Sequence, residues 1–229
     1  MKNRVIILSL LSIFITACAT PQVALKKEAV NSISSVDQVL YIPQNNLDVS
    51  VSSTNPGNTG IIGALIVMAI DSARQSSAEE ESAPIINALQ DYDFRNVMLE
   101  SMNAEVINKK YLPYEINTRI DTINSESNKS INYSESQSSA VLFSFFNYRL
   151  ESGNLIIKTV AEMYPKIDSL YAYRNDPSAD NPLDEGNAIY RKTFTFTKQG
   201  INADNIKTSL SEGAVSIAKQ ILTDLSYPL

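Results

Sequence analysis

The only cysteine of this 229-residue chain stands at position 18, directly behind an apolar run, and that placement limits what the remainder can fold into. Lys2 and Arg4 open the chain, Val5 to Phe14 is apolar apart from two serines, and Ile15-Thr16-Ala17 leads into Cys18. A basic start, a short apolar stretch and small residues before a cleavage point are the parts of an export signal, which assigns residues 1–17 to a cleaved signal peptide. The run is too short for a permanent span, which takes about 20 apolar residues to cross ~30 Å of hydrocarbon. An exported chain with no second cysteine has neither an internal disulfide nor a thiolate metal cage. It must be held together by its core. With 44% apolar residues it can form one domain, since a chain of this size buries about 70% of its extended surface.

Composition then removes function classes. There is no histidine, so no imidazole base, no Ser-His-Asp or Cys-His nucleophile and no His-ligated transition metal. A formal charge of −6 argues against nucleic acid, whose phosphates are met by clustered Lys and Arg. Loss of Lys2 and Arg4 with the signal takes the charge to −8. A basic patch on such a body is not expected to supply the hold on anionic lipid.

Ile15-Thr16-Ala17-Cys18 resembles the lipobox of bacterial lipoproteins. The resemblance implies a diacylglyceryl group on the Cys18 sulfur, cleavage before Cys18 and acylation of its new amino group. Two or more acyl chains give stable attachment, at ~0.8 kcal/mol per buried methylene. In that family an Asp after the cysteine retains the protein at the inner membrane. Here the residue is Ala19, which implies the outer membrane, with the periplasmic face as the expected exposure. The alternative is an ordinary signal peptide cut near Ala17 or Ala19 that leaves a free thiol.

Along the mature chain, residues 18–35 read as a lipidated tether and 36–229 as a single domain. Val39 to Ile42 and the alternation Leu47, Val49, Val51 predict two short strands. Residues 52–59 are turn chemistry, followed by Gly60–Ile70, the most hydrophobic stretch of the mature chain. At half a membrane span it reads first as a buried core helix, with Gly60, Gly63 and Ala64 permitting close backbone contact. An oligomer or membrane contact through the same three residues is the alternative. Pro84 to Lys110 predicts two helices, the second capped at Asp91-Tyr92-Asp93. Ile116, Thr118, Ile120 and Thr122 predict a half-buried strand, and the Ser/Asn-rich stretch Asn124 to Ser139 an exposed loop.

Ala140 to Leu150 and Leu155 to Tyr164 read as a hairpin about Gly153, and Tyr190, Phe194 and Phe196 add a third antiparallel strand. Ile206, Leu210, Ala214, Ile217, Ile221 and Leu225 form the stripe of a closing amphipathic helix, in which Gly213 marks a tight crossing. The predicted fold is α+β: an antiparallel or mixed sheet of about five strands with helices packed on it.

For chemistry, the segment between the last two strands offers Asp168, Asp176, Asp180, Asp184 and Glu185. Calcium is the one cofactor such oxygens suggest, but their spacing is not that of an EF-hand, and a solvated acidic loop is the expected reading, with no cofactor. Leu170, Tyr171 and Tyr173 within it form a candidate partner-contact surface. Asp93, Glu100 and Glu162 could serve a carboxylate hydrolase, yet no spacing selects a pair. No phosphate-binding glycine loop and no Gly-x-Ser-x-Gly elbow is present, and a non-enzymatic protein is expected.

A lipobox ahead of this element order also resembles, over about residues 36–226, the periplasmic lipoprotein domain of the curli secretion lipoprotein, the activators of penicillin-binding proteins and the TolB amino-terminal domain. The resemblance implies a protein that binds or scaffolds an envelope assembly, such as secretion, surface-polymer or peptidoglycan machinery, through another envelope protein or a second copy of itself. Of functional residues it carries over only Cys18. An oligomeric outer-membrane export channel subunit and a carboxylate-dependent cell-wall hydrolase remain as alternatives.

Overall fold

The structure, a computed structural model, describes residues 22–44, 47–50, 83–108, 112–151 and 153–226. Cys18 and the Gly60–Ile70 stretch, with Gly60, Gly63 and Ala64, lie outside the described residues. The fold is α+β. Strands β1 (Ser35–Tyr41), β3 (Glu115–Asp121), β4 (Ala140–Glu151), β5 (Asn154–Pro165) and β6 (Tyr190–Lys198) form a mixed sheet in the order β3-β1-β4-β5-β6. A short strand β2 (Asp48–Ser50) pairs with the far end of β4. β1 runs parallel to both β3 and β4, whereas β4, β5 and β6 are the predicted antiparallel meander. Gly153 turns the hairpin at φ 75°, a left-handed conformation that a side chain disfavours.

β1 and β2 share one edge of β4, at Ala140–Phe145 and Arg149–Glu151 respectively. The gap between them is bridged by a side chain. The Gln44 amide donates to the Tyr148 carbonyl at 2.9 Å and accepts from the Tyr148 N–H at 2.9 Å, completing the ladder as a backbone unit would.

One sheet face carries Leu142, Phe146, Leu155, Ile157, Ala161, Met163, Tyr190 and Phe194, all buried. Against it pack α3 (Phe94–Asn108) and α6 (Ile206–Ser226), and every position of the predicted α6 stripe is at most 1% exposed. Full burial of each such aliphatic side chain contributes about 1.5–3 kcal/mol. Asp93 caps α3 as expected, accepting from the N–H groups of Arg95 at 2.9 Å and Asn96 at 3.2 Å. Ahead of it a short helix, α2, spans residues 83–88 and buries Ile85.

Two expectations are corrected. The tether does not extend to residue 35. Val23 already forms a β-bridge with Arg191, and α1 (Lys27–Val30) with its flanks buries Leu25, Ala29, Val30 and Ile33. These four apolar side chains are what the Lys- and Ser-rich composition of the segment conceals. The loop predicted over Asn124 to Ser139 is in large part helix α4 (Glu126–Glu135), whose Ser125 cap accepts from the Asn128 N–H at 3.1 Å. It escapes a hydrophobic pattern because it docks through Lys129 and Asn132, while its one large aliphatic residue, Ile131, is exposed.

Gly213 sits where α6 crosses the hairpin. A Cβ there would meet Ile157 Cδ1 at 2.3 Å and Phe196 Cδ1 at 2.9 Å. Gly213→Ala is expected to destabilise by about 1–2 kcal/mol, overpacking exceeding the helix-propensity gain of ~1 kcal/mol. In urea titrations Ile157→Val in the same chain should restore part of that loss, which a generic helix defect would not allow.

Candidate functional site at the sheet edge

The second sheet face is built on a different chemistry. Strand alternation directs Val39 and Tyr41, then Val141, Phe143 and Phe145, then Glu162 and Tyr164, and finally Arg191 to this side. α4 and the segment from Lys166 to Ile189, which includes α5 (Asp168–Tyr171), lie at the end of the face where β4 and β6 begin, with Leu183 and Ala188 packed on that face. Beyond that cover the face opens, with Asn147, Thr195 and Thr197 exposed.

Under α4 the rings of Tyr41 and Phe145 stack at 5.1 Å, and the Lys129 ammonium lies 4.6 Å from the Tyr164 centroid and 5.6 Å from those of Phe143 and Phe145. Lys129 also donates to the Tyr164 hydroxyl at 3.2 Å and to Glu162 Oε2 at 3.4 Å, and the Tyr164 hydroxyl donates to Glu162 Oε2 at 3.0 Å. On the other side of Glu162, Arg191 Nε stands 3.0 Å from Oε1 as an ion pair without hydrogen-bond alignment, while its Nη2 donates to Glu185 at 2.7 Å. Hydrogen bonding from Arg191 holds the Glu185 carboxyl below its ordinary value. Burial, with the Glu162 carboxylate alongside, pushes the Tyr164 phenol well above its ordinary value. Two cations and a phenol thus occupy Glu162, and α4 is fastened to the sheet through charge.

Asp121 at the end of β3 completes the α4 attachment. It accepts from Asn132 Nδ2 at 2.7 Å, from the Ile123 N–H at 2.9 Å and from Asn128, and Asn132 also donates to Tyr41 at 2.8 Å. Burial acts to raise the Asp121 carboxyl, but these donors together outweigh it and leave it below 3.8.

Arg191 is also the point of entry for the amino-terminal segment. Its N–H donates to the Val23 carbonyl and its carbonyl accepts from the Val23 N–H, both at 2.8 Å. β6 is the edge strand of the sheet, and beside its outer side runs an open groove of about 610 Å³ bounded by Lys192, Thr193, Ser216, Lys219 and Gln220. Lys192 is paired with Asp224, which also accepts from Tyr190 at 3.0 Å. A second cavity of about 220 Å³, lined by apolar residues including Leu47, Ile86 and Leu89, opens between α2 and the start of α3.

The sequence-predicted residues are distributed as follows. Leu170 is fully buried and belongs to the apolar core, so it is removed from the candidate contact surface, because the turn of α5 points it inward. Tyr171 and Tyr173 are half-buried, and the Arg174 guanidinium lies 5.2 Å from the Tyr171 ring. The acidic segment is tied down by buried Asn187, which donates to the carbonyls of Ala179 at 3.0 Å and Asn181 at 2.6 Å and accepts from Arg174 at 2.9 Å. Among the described residues no group of three acidic, His or Cys side chains is arranged to hold a metal. Asp93 and Glu100 belong to α3 on the apolar face, whereas Glu162 points to the opposite face, so the sheet separates Glu162 from both. Lys129, Asn132 and Arg191 had no signal in the sequence, since each is a single polar residue in a polar or alternating context.

No protein-family model and no curated protein matches the chain. Eleven chains among solved structures resemble it, three of them as follows. An uncharacterized protein is 11% identical with a TM-score of 0.38, covering 90% of this chain and 96% of its own. A Xanthomonas campestris protein of the DUF330 family is 9% identical with a TM-score of 0.36, covering 92% and 89%. A PelC variant dodecamer from Paraburkholderia phytofirmans is 12% identical with a TM-score of 0.28, covering 86% and 92%. At these scores the likenesses assign neither family nor function.

Removing one partner of a buried ion pair leaves a charge without its compensation. Arg191→Met is expected to destabilise by about 3 kcal/mol, the lower end of the usual range because Lys129 still faces Glu162, as read from the urea midpoint. Asp121 adds a pH dependence. A carboxyl depressed in the folded state stabilises above its unfolded value of 3.8 and ceases to as the pH falls through its lower folded value. Asp121→Asn should therefore lower the midpoint at pH 7 and flatten its decline below about pH 4, compared with wild type across the same pH series.

Proposed function

We propose that the protein is an outer-membrane lipoprotein, anchored through Cys18 and facing the periplasm, that binds or scaffolds another component of an envelope assembly without catalysing a reaction. The observation that carries this reading is the lipobox Ile15-Thr16-Ala17-Cys18, followed within five residues by Val23, where the chain joins the sheet. Ala19 after the cysteine supports the outer membrane as destination. Among the described residues no helix is long and apolar enough to cross a membrane, so the acyl chains are the attachment proposed.

The non-enzymatic part rests on the state of the carboxylates. Glu162 is occupied by Lys129 and Arg191, Asp93 by the first N–H groups of α3, and Glu100 is exposed on the helix surface. A half-open sheet face and an edge strand are instead features through which one protein meets another.

Fractionation of envelopes from cells making wild type or Cys18→Ala tests the anchor. Wild type should sediment with the outer membrane and incorporate labelled palmitate, and Cys18→Ala should do neither. If both behave as soluble periplasmic protein, the reading is wrong. Release of peptidoglycan fragments by the purified protein would overturn the non-enzymatic part.

A further inference from the structure

The junction at Val23 has a consequence for how the domain sits on the membrane. We propose that the side of the domain formed by α1, the outer edge of β6 and the flank of α6 around Lys219 lies against the phospholipid headgroups. The inference rests on the lipid anchor at Cys18.

Chain length supplies the first part of the argument. Four residues separate Cys18 from Val23, and over the five steps, at no more than ~3.5 Å each, the acylated backbone is within about 17 Å of Val23. A domain of this length has a radius of gyration of about 16 Å, so that reach is less than half its width. A tether of 18 residues would let the body turn freely; this one does not. Val23 is fixed to Arg191 by two backbone hydrogen bonds at the beginning of an edge strand. The bridge is antiparallel, so at Gln22 and Val23 the amino-terminal direction of the chain is the one in which β6 advances, along the groove beside α6.

Charge supplies the second part. Lys26 and Lys27 are exposed directly after the junction, and Lys192 and Lys219 border the groove. The acidic groups among them are Glu28 and Asp224, the latter paired with Lys192. Four cations against two anions make this side locally positive on a mature chain of formal charge −8, which suits the phosphates of a bilayer surface. Thr193, Ser216 and Gln220 between the lysines add hydroxyl and amide groups that can bond headgroup oxygens. The opposite edge is about 19 Å away, at four interstrand spacings, and β3 there carries Glu115 and Asp121 against a single cation, Arg119.

The chain has no cysteine besides Cys18, and lipidation consumes that one, so an introduced cysteine is the unique site for a nitroxide label. Full-length lipidated Lys27→Cys, Lys219→Cys and Ile123→Cys would be reconstituted in phosphatidylethanolamine and phosphatidylglycerol vesicles. Ile123 is 60% exposed and follows the far end of β3. Relaxation of the label by nickel chelated on lipid headgroups should be several-fold stronger at positions 27 and 219 than at 123. Equal relaxation, or stronger relaxation at 123, with the protein still floating with the vesicles, would overturn the orientation and leave the anchor standing. Failure of the wild-type lipoprotein to float would overturn the anchor, and the orientation with it.

Discussion

A guanidinium buried at the edge of a sheet has to be matched from several directions, and the way Arg191 is matched organises one side of this molecule. Its side chain meets Glu162 of the neighbouring strand and Glu185 of the covering segment, while its backbone takes up Val23. The meander, the acidic segment and the amino-terminal arm therefore converge on one residue. Lys129 does the equivalent for α4, meeting Glu162 from the other side. Glu162 is the shared anion. Buried ion pairs of this kind add little to stability over an apolar equivalent, but once one member is lost the others are left exposed to a low dielectric. Such an arrangement favours a single geometry among the three covering elements more than it adds to their total binding energy.

The two faces of the sheet differ accordingly in what the sequence reveals. On the apolar face, packing follows periods of two and 3.6, and these are visible in Leu155, Ile157, Ala161 and Met163 or in Ile206 through Leu225 without any structure. On the polar face, α4 is held by Lys129, Asn132 and the ring edges beneath them, and a Ser/Asn-rich string carries no mark of which amide points down. The arm from Gln22 to Ser34 is hidden for another reason. Leu25, Ala29, Val30 and Ile33 are too few and too widely interrupted by Lys26, Lys27 and Glu28 to establish a period, yet each is buried. Gln44 is a third case. Its amide stands in for a strand residue between β1 and β2, and only the three-dimensional ladder makes that role visible.

The candidate site was legible to the same uneven degree. The proposed lipidation of Cys18 rests wholly on a local motif, so its case lies in the sequence itself. Asp93 could be weighed between cap and catalyst, because capping also has a local signature, and the hydrogen bonds from Arg95 and Asn96 decide it. Glu162 could only be named as one carboxylate among several. What distinguishes it is the pair of cations brought from β6 and α4, elements far from it in sequence. Leu170 erred in the opposite direction: flanked by polar residues it resembles a surface position, but the short turn of α5 places it in the core.

The amino-terminal arm also decides where force on the proposed anchor would go. The bridge to Arg191 has two hydrogen bonds, each adding about 1 kcal/mol net, so by itself it is a weak attachment. The four buried side chains that follow add about 1.5–3 kcal/mol for each large one, and they lie on the path to β1. β1 is an interior strand, paired on one side with β3 and on the other with β4, and its first residues are pinned by Ser139, whose hydroxyl accepts from the Ser34 N–H at 3.0 Å and donates to the Ser35 carbonyl at 2.8 Å. A load applied at Cys18 thus passes from the sheet edge through α1 into the interior of the sheet. In a domain whose chain enters at its margin and continues into an interior strand, the proposed membrane attachment and the core would form one continuous mechanical path.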